Sequence, residues 1–523
     1  MPLELFGDFS FVGGENTTAD AYQDRQLCIN WYPEVSPSKA SKTVTALLGC
    51  PGLNQLTGTV NAPSNLWPQP SSITNLPARG LWVLPGNTSA LAVIANTCYL
   101  ISIINYGSST ITGQISLTAV GTLASSSGPV SIRDLGIQGG AAIIVDGPNG
   151  YWYVFNSTST LGPIGTFLKI IDPAFLGANT VAEIDGWLIF NQPATALFYT
   201  NALPYATSFN ASLFALKDAS SDFLMAVWES KEELWLPGER TTEIWYNAGG
   251  PYFPFQRLVG TLLQVGCKSA ASIARLSSNA QDGLIWFGRS DRGENIIVKT
   301  AGFAVQVVST PAVSDAIAKY SVTSDAIGYT YQEDTHEFYV LTFPTADRTW
   351  VFDASMPPEL AWHQRLSYDP YAQQYHRHRS NCYMNFAGMR VVGDYQNGNL
   401  YQMTRSAYTD AGWPIRAKRR SPHIWNKDNR ERVFMASLQV DFAPGQGQSS
   451  GLGANPQATL RMSRDGGTTF GPENQAPMGA IGQYQNRTIW RKLGVTRDSV
   501  AEIEVIAPCN RDIVGTTLKA FGT

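Results

Sequence analysis

Several residue groups in this chain have types and spacings that could do chemistry. Glu229, Glu232, Glu233, Glu239 and Glu243 cluster around one hairpin-like stretch. Glycoside hydrolysis needs two carboxylates facing each other across a sugar, one with a raised pKa. Lys231 and Arg240 interleave with these acids, the pattern of a solvated sheet face. His376-x-His378 would point two imidazoles to one side of a strand, with Cys382 nearby, and such a pair can begin a metal site. Arg377 and Arg379 beside them disfavour a cation. Gly447-Gln448-Ser449-Ser450-Gly451 has the letters of a nucleophile elbow, but the elbow needs a strand before it and a helix after it. Here it lies in a Gly- and Gln-rich loop. There is no Walker loop, no H-E-x-x-H and no G-x-G-x-x-G after a strand. No catalytic, metal or cofactor residue is assigned, and an enzyme is not expected.

Two further groups point to structure and contact. Ser463-x-Asp465-x-Gly467-x-Thr469-Phe470 fits the Asp-box pattern, in which Ser and Asp hold a tight turn and the aromatic packs beneath. A strand is expected before it at Leu460–Ser463, a return through Thr468–Phe470, and another strand at Thr488–Leu493. The most charged local run holds Arg416, Lys418, Arg419, Arg420, Lys427, Arg430 and Arg432 against Asp428 and Glu431. These cations are candidates for a neighbouring subunit, an adaptor surface or DNA phosphates.

The elements that position these groups follow from composition. Of 523 residues, 44% are hydrophobic and only 15% charged, with 47 glycines and 30 prolines, which suits many short strands and turns and no helical bundle. A net charge of −4 argues against a chain that grips nucleic acid over its whole surface. Six scattered cysteines without a C-x-x-C pair give neither a zinc site nor a disulfide framework. The N-terminus lacks the basic and apolar regions of a signal peptide, and no apolar run is long enough to span a membrane.

From Leu81 a unit recurs: an apolar strand, a turn, and a second strand rich in aromatics. Its turns fall near Asn96, Asn149, Gln192, Glu239, Arg292, Ala346 and Asn397. Repeats of about 40–50 residues with several strands each are the signature of β-propeller blades. The reading is an all-β chain with a propeller of six or seven blades over 80–410 and a smaller antiparallel β-domain over 411–523. Residues 58–79 are expected to be a linker. Residues 1–57 look irregular and are expected to join the C-terminal domain. The loop at 444–457 is expected to be flexible, and a candidate gate.

The two ends of the chain carry a family resemblance. After the Ser463–Phe470 turn come Arg487, Trp490, Arg491, Lys492, Gly494 and Arg497. Near the start stand Asn30-Trp31-Tyr32-Pro33 and Cys50-Pro51-Gly52-Leu53. Together these resemble the packaged-DNA stabilisation proteins, or tail hubs, of short-tailed bacteriophages. The signature residues are Asn30, Pro33, Pro51, Gly52, Trp490, Arg491, Gly494 and Arg497. The resemblance implies a structural virion protein of the phage tail, assembled in the host cytoplasm. It implies six copies forming a nozzle below the portal and its adaptor protein, with tail fibres or tailspikes and a needle or plug as further partners. Double-stranded DNA would be retained by this tube and later pass through it without sequence recognition, the propeller projecting outward and the smaller domain forming the channel wall. The competing reading is a carbohydrate-binding or glycosidase-like propeller, which would place close carboxylates or an arginine cluster in a central pocket.

Overall fold

The computed structural model describes residues 4–8, 11–18, 20, 22–36, 44–56, 76–103, 115–277, 283–426 and 430–522. Most of the expected linker, and Lys427, lie outside these residues.

Each of the seven hairpins read from the sequence forms the middle pair of a small antiparallel sheet. These sheets are the seven blades of a propeller: blade 1 over 78–122, blade 2 over 131–169, blade 3 over 181–216, blade 4 over 228–257, blade 5 over 266–307, blade 6 over 327–364 and blade 7 over 380–404. The inner strand of blade 5 is split in two. The continuous apolar runs follow from burial on both faces. In Ala141–Val145 of blade 2, Ile143 packs toward blade 3 with Phe190 and Tyr199, while Ile144 packs toward blade 1 with Leu91 and Val93. Tight turns supply the reversals: Asp185 (φ 52°) and Gly186 (φ 80°) give blade 3 a two-residue turn with both φ positive.

Blade 7 has only three strands of its own, and the fourth is Gly52–Gln55, antiparallel to Leu400–Thr404. The ring closes where the inner strand of blade 7 lies against that of blade 1, with the Asn381 amide donating to the Ala78 carbonyl (2.8 Å).

The remaining chain forms a β-sandwich. One sheet runs in the order Thr488–Thr496, Val433–Phe442, Ile513–Gly522, Thr45–Gly49, Trp31–Val35. The other contains Ala417–Arg420, Asp498–Val505, Gln457–Ser463 and Asn474–Pro477. The segment expected to be irregular, 1–57, therefore contains strands of both domains, and its Phe11, Cys28, Trp31 and Leu47 are part of the sandwich core. Pro33 is accommodated because Trp31–Val35 is an edge strand. The return expected at Thr468–Phe470 begins instead at Asn474, because the Asp465 carboxylate takes the amides of Thr468 and Thr469. The 444–457 loop packs onto its neighbours: a Cβ on Gly447 would meet Ile481 N at 2.8 Å.

Propeller and sandwich share one hydrogen-bonded sheet. Cys28–Ile29 pairs with Trp362–Gln364 of blade 6 on one side and Ala417–Arg420 of the sandwich on the other. Asn30, left-handed at φ 59° and 1% exposed, locks this seam. Its carboxamide donates to the Leu366 and Arg416 carbonyls (both 2.8 Å) and accepts from Leu366 N (2.9 Å). Trp31 Nε1 donates to Arg511 O, and Arg511 in turn to Cys50 O. Gly52 is packed so closely that a Cβ would sit 2.4 Å from Thr409 O and 2.5 Å from Ala407 O. Glu15, 5% exposed, accepts from Cys28 N and from Gln364 Nε2 in the same seam, and burial pushes its carboxyl up to about 7.

Two outcomes are expected. Asn30→Ala leaves three buried groups unpaired and should destabilise the chain by about 2–4 kcal/mol, lowering the melting temperatures of propeller and sandwich together; loss confined to one domain would contradict a shared seam. Glu15 has a folded-state pKa above its unfolded one, so its stabilisation is present below about 4.5 and lost as pH rises through about 7. Glu15→Gln should therefore be more stable than the parent at pH 8 by about 2–3 kcal/mol and nearly equal to it at pH 4.5. Denaturant midpoints against pH measure this, and a pH-independent difference would contradict it.

Candidate functional site

The basic run resolves into a strand whose alternate residues face different ways. Arg416, Lys418 and Arg420 project to one side and meet two carboxylates of the neighbouring strand. Arg416 pairs with Glu504 (2.5 Å), Lys418 with Glu502 (3.2 Å) and Glu504 (3.3 Å), and Arg420 with Glu502 (2.7 Å). Glu502 is 2% exposed. Although burial acts to raise its pKa, these cations hold it below the usual value. Arg419 points the other way and is fully buried, donating to the carbonyls of Phe11, Gly14 and Leu27 and to Gln26 Oε1. These four residues tie the sandwich together: Arg419 is fully buried, and the three paired cations keep 15–18% of their side-chain surface exposed. Arg430 and Arg432 are exposed.

The Ser463–Phe470 turn is built around an exposed carboxylate. Asp465 accepts from Thr469 Oγ1 (2.6 Å), Thr469 N (2.9 Å), Ser463 Oγ (2.7 Å) and Thr468 N (3.0 Å), which holds it well below the ordinary carboxylate range. Ser463 Oγ also accepts from Gly467 N (2.7 Å), and Gly467, at φ 86°, passes its carbonyl to Arg25 of the N-terminal segment (2.6 Å). Phe470 is half-buried, with the Arg420 guanidinium 4.7 Å from its ring centre.

The other cationic feature was not singled out from the sequence as a surface. It lies on the outer face of the sandwich sheet that contains Thr488–Thr496. Trp490 points inward, 2% exposed, and its Nε1 donates to Asn474 O (2.8 Å). A β-bulge follows: Lys492 is left-handed (φ 58°), Gly494 has φ 97°, and the pairing with Val433–Phe442 shifts between Met435 and Ser437. The bulge leaves the consecutive Arg491 and Lys492 both exposed. Arg491 and Lys519 flank Ser437 across three strands, and next to them Phe434 and Phe521 stack with ring centres 6.4 Å apart. Arg487 and Arg497 are exposed nearer the ends of the same stretch. The signal in the sequence was Arg491-Lys492 followed by Gly494, which a strict strand alternation would have split between two faces.

Along the propeller axis runs a cavity of about 1410 Å³, lined by inner strands of several blades. Over the ~17 Å of a five-residue strand this is roughly 10–13 Å across, about the width of the ~12 Å major groove of DNA alone. Toward one end the Arg133 guanidinium is clamped between Trp82 (4.5 Å) and Trp228 (4.9 Å), side chains contributed by blades 2, 1 and 4. Burial, with Arg275 beside it, holds Arg133 down to about 10. The axis of a single propeller is no passage for a duplex.

The groups considered for catalysis do not assemble. Glu229 pairs with Arg275, whereas Glu243 is buried and accepts from Trp245 Nε1 and Ala219 N. His376 pairs with Asp347, His378 is buried against Ser380, and Cys382 lies near the Ala78 carbonyl. Among the described residues no three His, Cys, Asp or Glu side chains gather as metal ligands, and no helix is long and apolar enough to cross a membrane. Ser449 sits in the exposed loop, with no helix of the elbow kind after it.

The family comparison matches the two parts of this architecture separately. Residues 93–408 match the family described as bacteriophage P22 Gp10, beta-propeller, and residues 418–517 match bacteriophage P22 Gp10, beta-sandwich. No curated protein matches the sequence. Among solved structures, an exo-β-1,3-galactanase from Phanerochaete chrysosporium with β-1,3-galactotriose is similar at 11% identity, over 84% of this chain and 96% of that one, with a TM-score of 0.26, too low to carry an argument. With both domains matched in order and over most of its length, the chain belongs to the bacteriophage P22 Gp10 family of short-tailed phage structural proteins.

Proposed function

We propose that this protein is a tail hub: a ring of about six copies below the portal and adaptor that retains packaged DNA and later conducts it out. The observation that carries the reading is the match of both domains to one phage structural family. The narrow propeller axis adds a constraint, since a conduit would have to lie between copies of the chain. The cationic sheet face is our candidate for its wall, with Arg491, Lys492 and Lys519 toward the phosphates and the propeller turned outward.

Electrostatics favours a conduit with few exposed cations over a strongly basic clamp. Each neutralised phosphate adds about 0.9 to the log–log salt dependence of binding, so a heavily basic ring would hold the DNA it must release. Here the chain is net acidic, and much of its basic run is already paired with Glu502 and Glu504. The remaining surface cations could hold DNA loosely. Fibres, spikes or a needle would attach outside this wall.

The direct test is the mass of the purified protein, alone and mixed with filled, tailless heads. A ring of about six copies, free or formed only on the heads, is expected; a monomer that ignores the heads would overturn the hub. A second test replaces Arg491, Lys492 and Lys519 together by Gln. Heads completed with this variant should lose DNA faster than the parent at low salt. The difference should fade near 0.5 M salt, where the Debye length is only about 4 Å. Equal retention at all salt concentrations would remove this face from the wall.

A further inference from the structure

The outer edge of blade 3 stands apart from those of the other blades. Blade 6 is continued outward by Cys28–Ile29, and blade 7 is completed by Gly52–Gln55 and continued by Thr409–Asp410. Sheets of this propeller thus accept strands from distant segments. Blades 2, 4 and 5 end in outer strands of only 3, 3 and 4 residues. The outer strand of blade 1, Ile115–Thr122, shows no large exposed apolar side chain. Blade 3 ends in Phe209–Leu216, and among the described residues no strand pairs with its outer side.

The direction of its free backbone groups follows from one bond. Lys217 N donates to Ala196 O, in register with the Leu216–Leu197 pair beside it. Hydrogen-bonded and non-bonded pairs alternate along an antiparallel ladder, so the N–H and C=O groups of Phe214 and Leu216 face away from the sheet. Their side chains, 47% and 50% exposed, stand opposite Tyr199 and Leu197. The Tyr199 hydroxyl accepts from Leu176 N, and Leu176, 43% exposed, carries the apolar surface toward blade 2. Open edges are ordinarily guarded by charge, proline or a bulge. Here the register shift is confined to the Phe209 end, and no Asp, Glu, Lys or Arg occurs from Gly186 to Leu216.

We propose that this edge takes an extended, uncharged segment of another protein as an added strand. Its main chain would bond to Phe214 and Leu216, and its alternate apolar side chains would rest on Phe214, Leu216 and Leu176. The free backbone groups select a strand, and the exposed side chains select an apolar residue at every second position. The missing charge offers nothing to a Lys- or Glu-rich segment. A second copy paired through the same strand would form a two-fold contact that closes pairs, not a ring. The choice of another protein over a second copy therefore rests on the proposed ring; the edge itself does not, and its test uses neither heads nor DNA.

Fluorescence anisotropy of labelled peptides with the full-length protein tests this. The probe TVTFTLT should bind at least tenfold more tightly than TKTKTKT or the proline-interrupted TVTPTLT. Phe214→Lys and Leu216→Lys should each weaken the probe at least tenfold at the parent's melting temperature, whereas Phe214→Val should weaken it less than threefold. Hydrogen exchange across 209–216, read by mass spectrometry, should slow when the probe is bound, which apolar adhesion without strand pairing would not produce. Absent binding, equal binding of either control peptide, unchanged affinity in both lysine variants, or unchanged exchange across 209–216 would each overturn the proposal. So would a dimer of the parent protein in sedimentation equilibrium that Phe214→Lys abolishes, since the edge would then belong to a second copy.

Discussion

The structure depends on one hydrogen-bonded seam made by residues 28–36 and 44–55. Cys28–Ile29 carries the sheet of blade 6 into the sandwich, Trp31–Val35 and Thr45–Gly49 complete the second sandwich sheet, and Gly52–Gln55 finishes blade 7. The backbone of this segment has its partners in both domains, so neither can complete its sheets without it. Asn30 and Gly52, two of the signature residues, stand where the chain changes partners. One must be left-handed with every carboxamide group used, and the other has no room for a Cβ. Pairings between residues hundreds of positions apart also make folding slow, because loop closure precedes the reward of contact. Propeller and sandwich cannot swing independently without breaking buried hydrogen bonds.

Charge is distributed by the same logic. Much of the densest basic run of the chain is spent on Glu502 and Glu504, on the face of the sheet turned away from the sandwich core, where partial burial costs desolvation and several close pairs offset it. Removing either acid would leave partly buried cations without their partner. A group of exposed cations stands instead on a bulged edge strand and on the strand two places away, Arg491, Lys492 and Lys519. Local charge density along a chain is therefore a poor guide to a charged surface when strand alternation and cross-strand partners intervene.

The propeller was legible because each blade repeats an apolar strand, a turn and an aromatic strand within a short span, and all seven middle hairpins lie where that pattern put them. The fourth strand of blade 7 and the strands of the N-terminal segment were not legible, because their partners are distant and their own residues show no period. The Ser463–Asp465 turn was visible from its letters, but the position of the returning strand was not, since it depends on how many amides one carboxylate captures. The axial cavity could not be foreseen at all. Its lining comes from inner strands spread over most of the chain, and Arg133 reaches Trp82 and Trp228 only because closing the ring brings blades 1, 2 and 4 to one axis.

In the proposed hub each copy works as one rigid body, with the cationic sandwich face toward DNA and the propeller away from it. Electron cryomicroscopy of the tailed particle tests this most directly. A ring of this chain around the DNA is expected, with Arg491 and Lys519 on the inner wall and the Cys28–Ile29 seam intact between the two domains of each copy. A tail in which the propellers surround the DNA, or in which the sandwich face is covered by another protein, would contradict it.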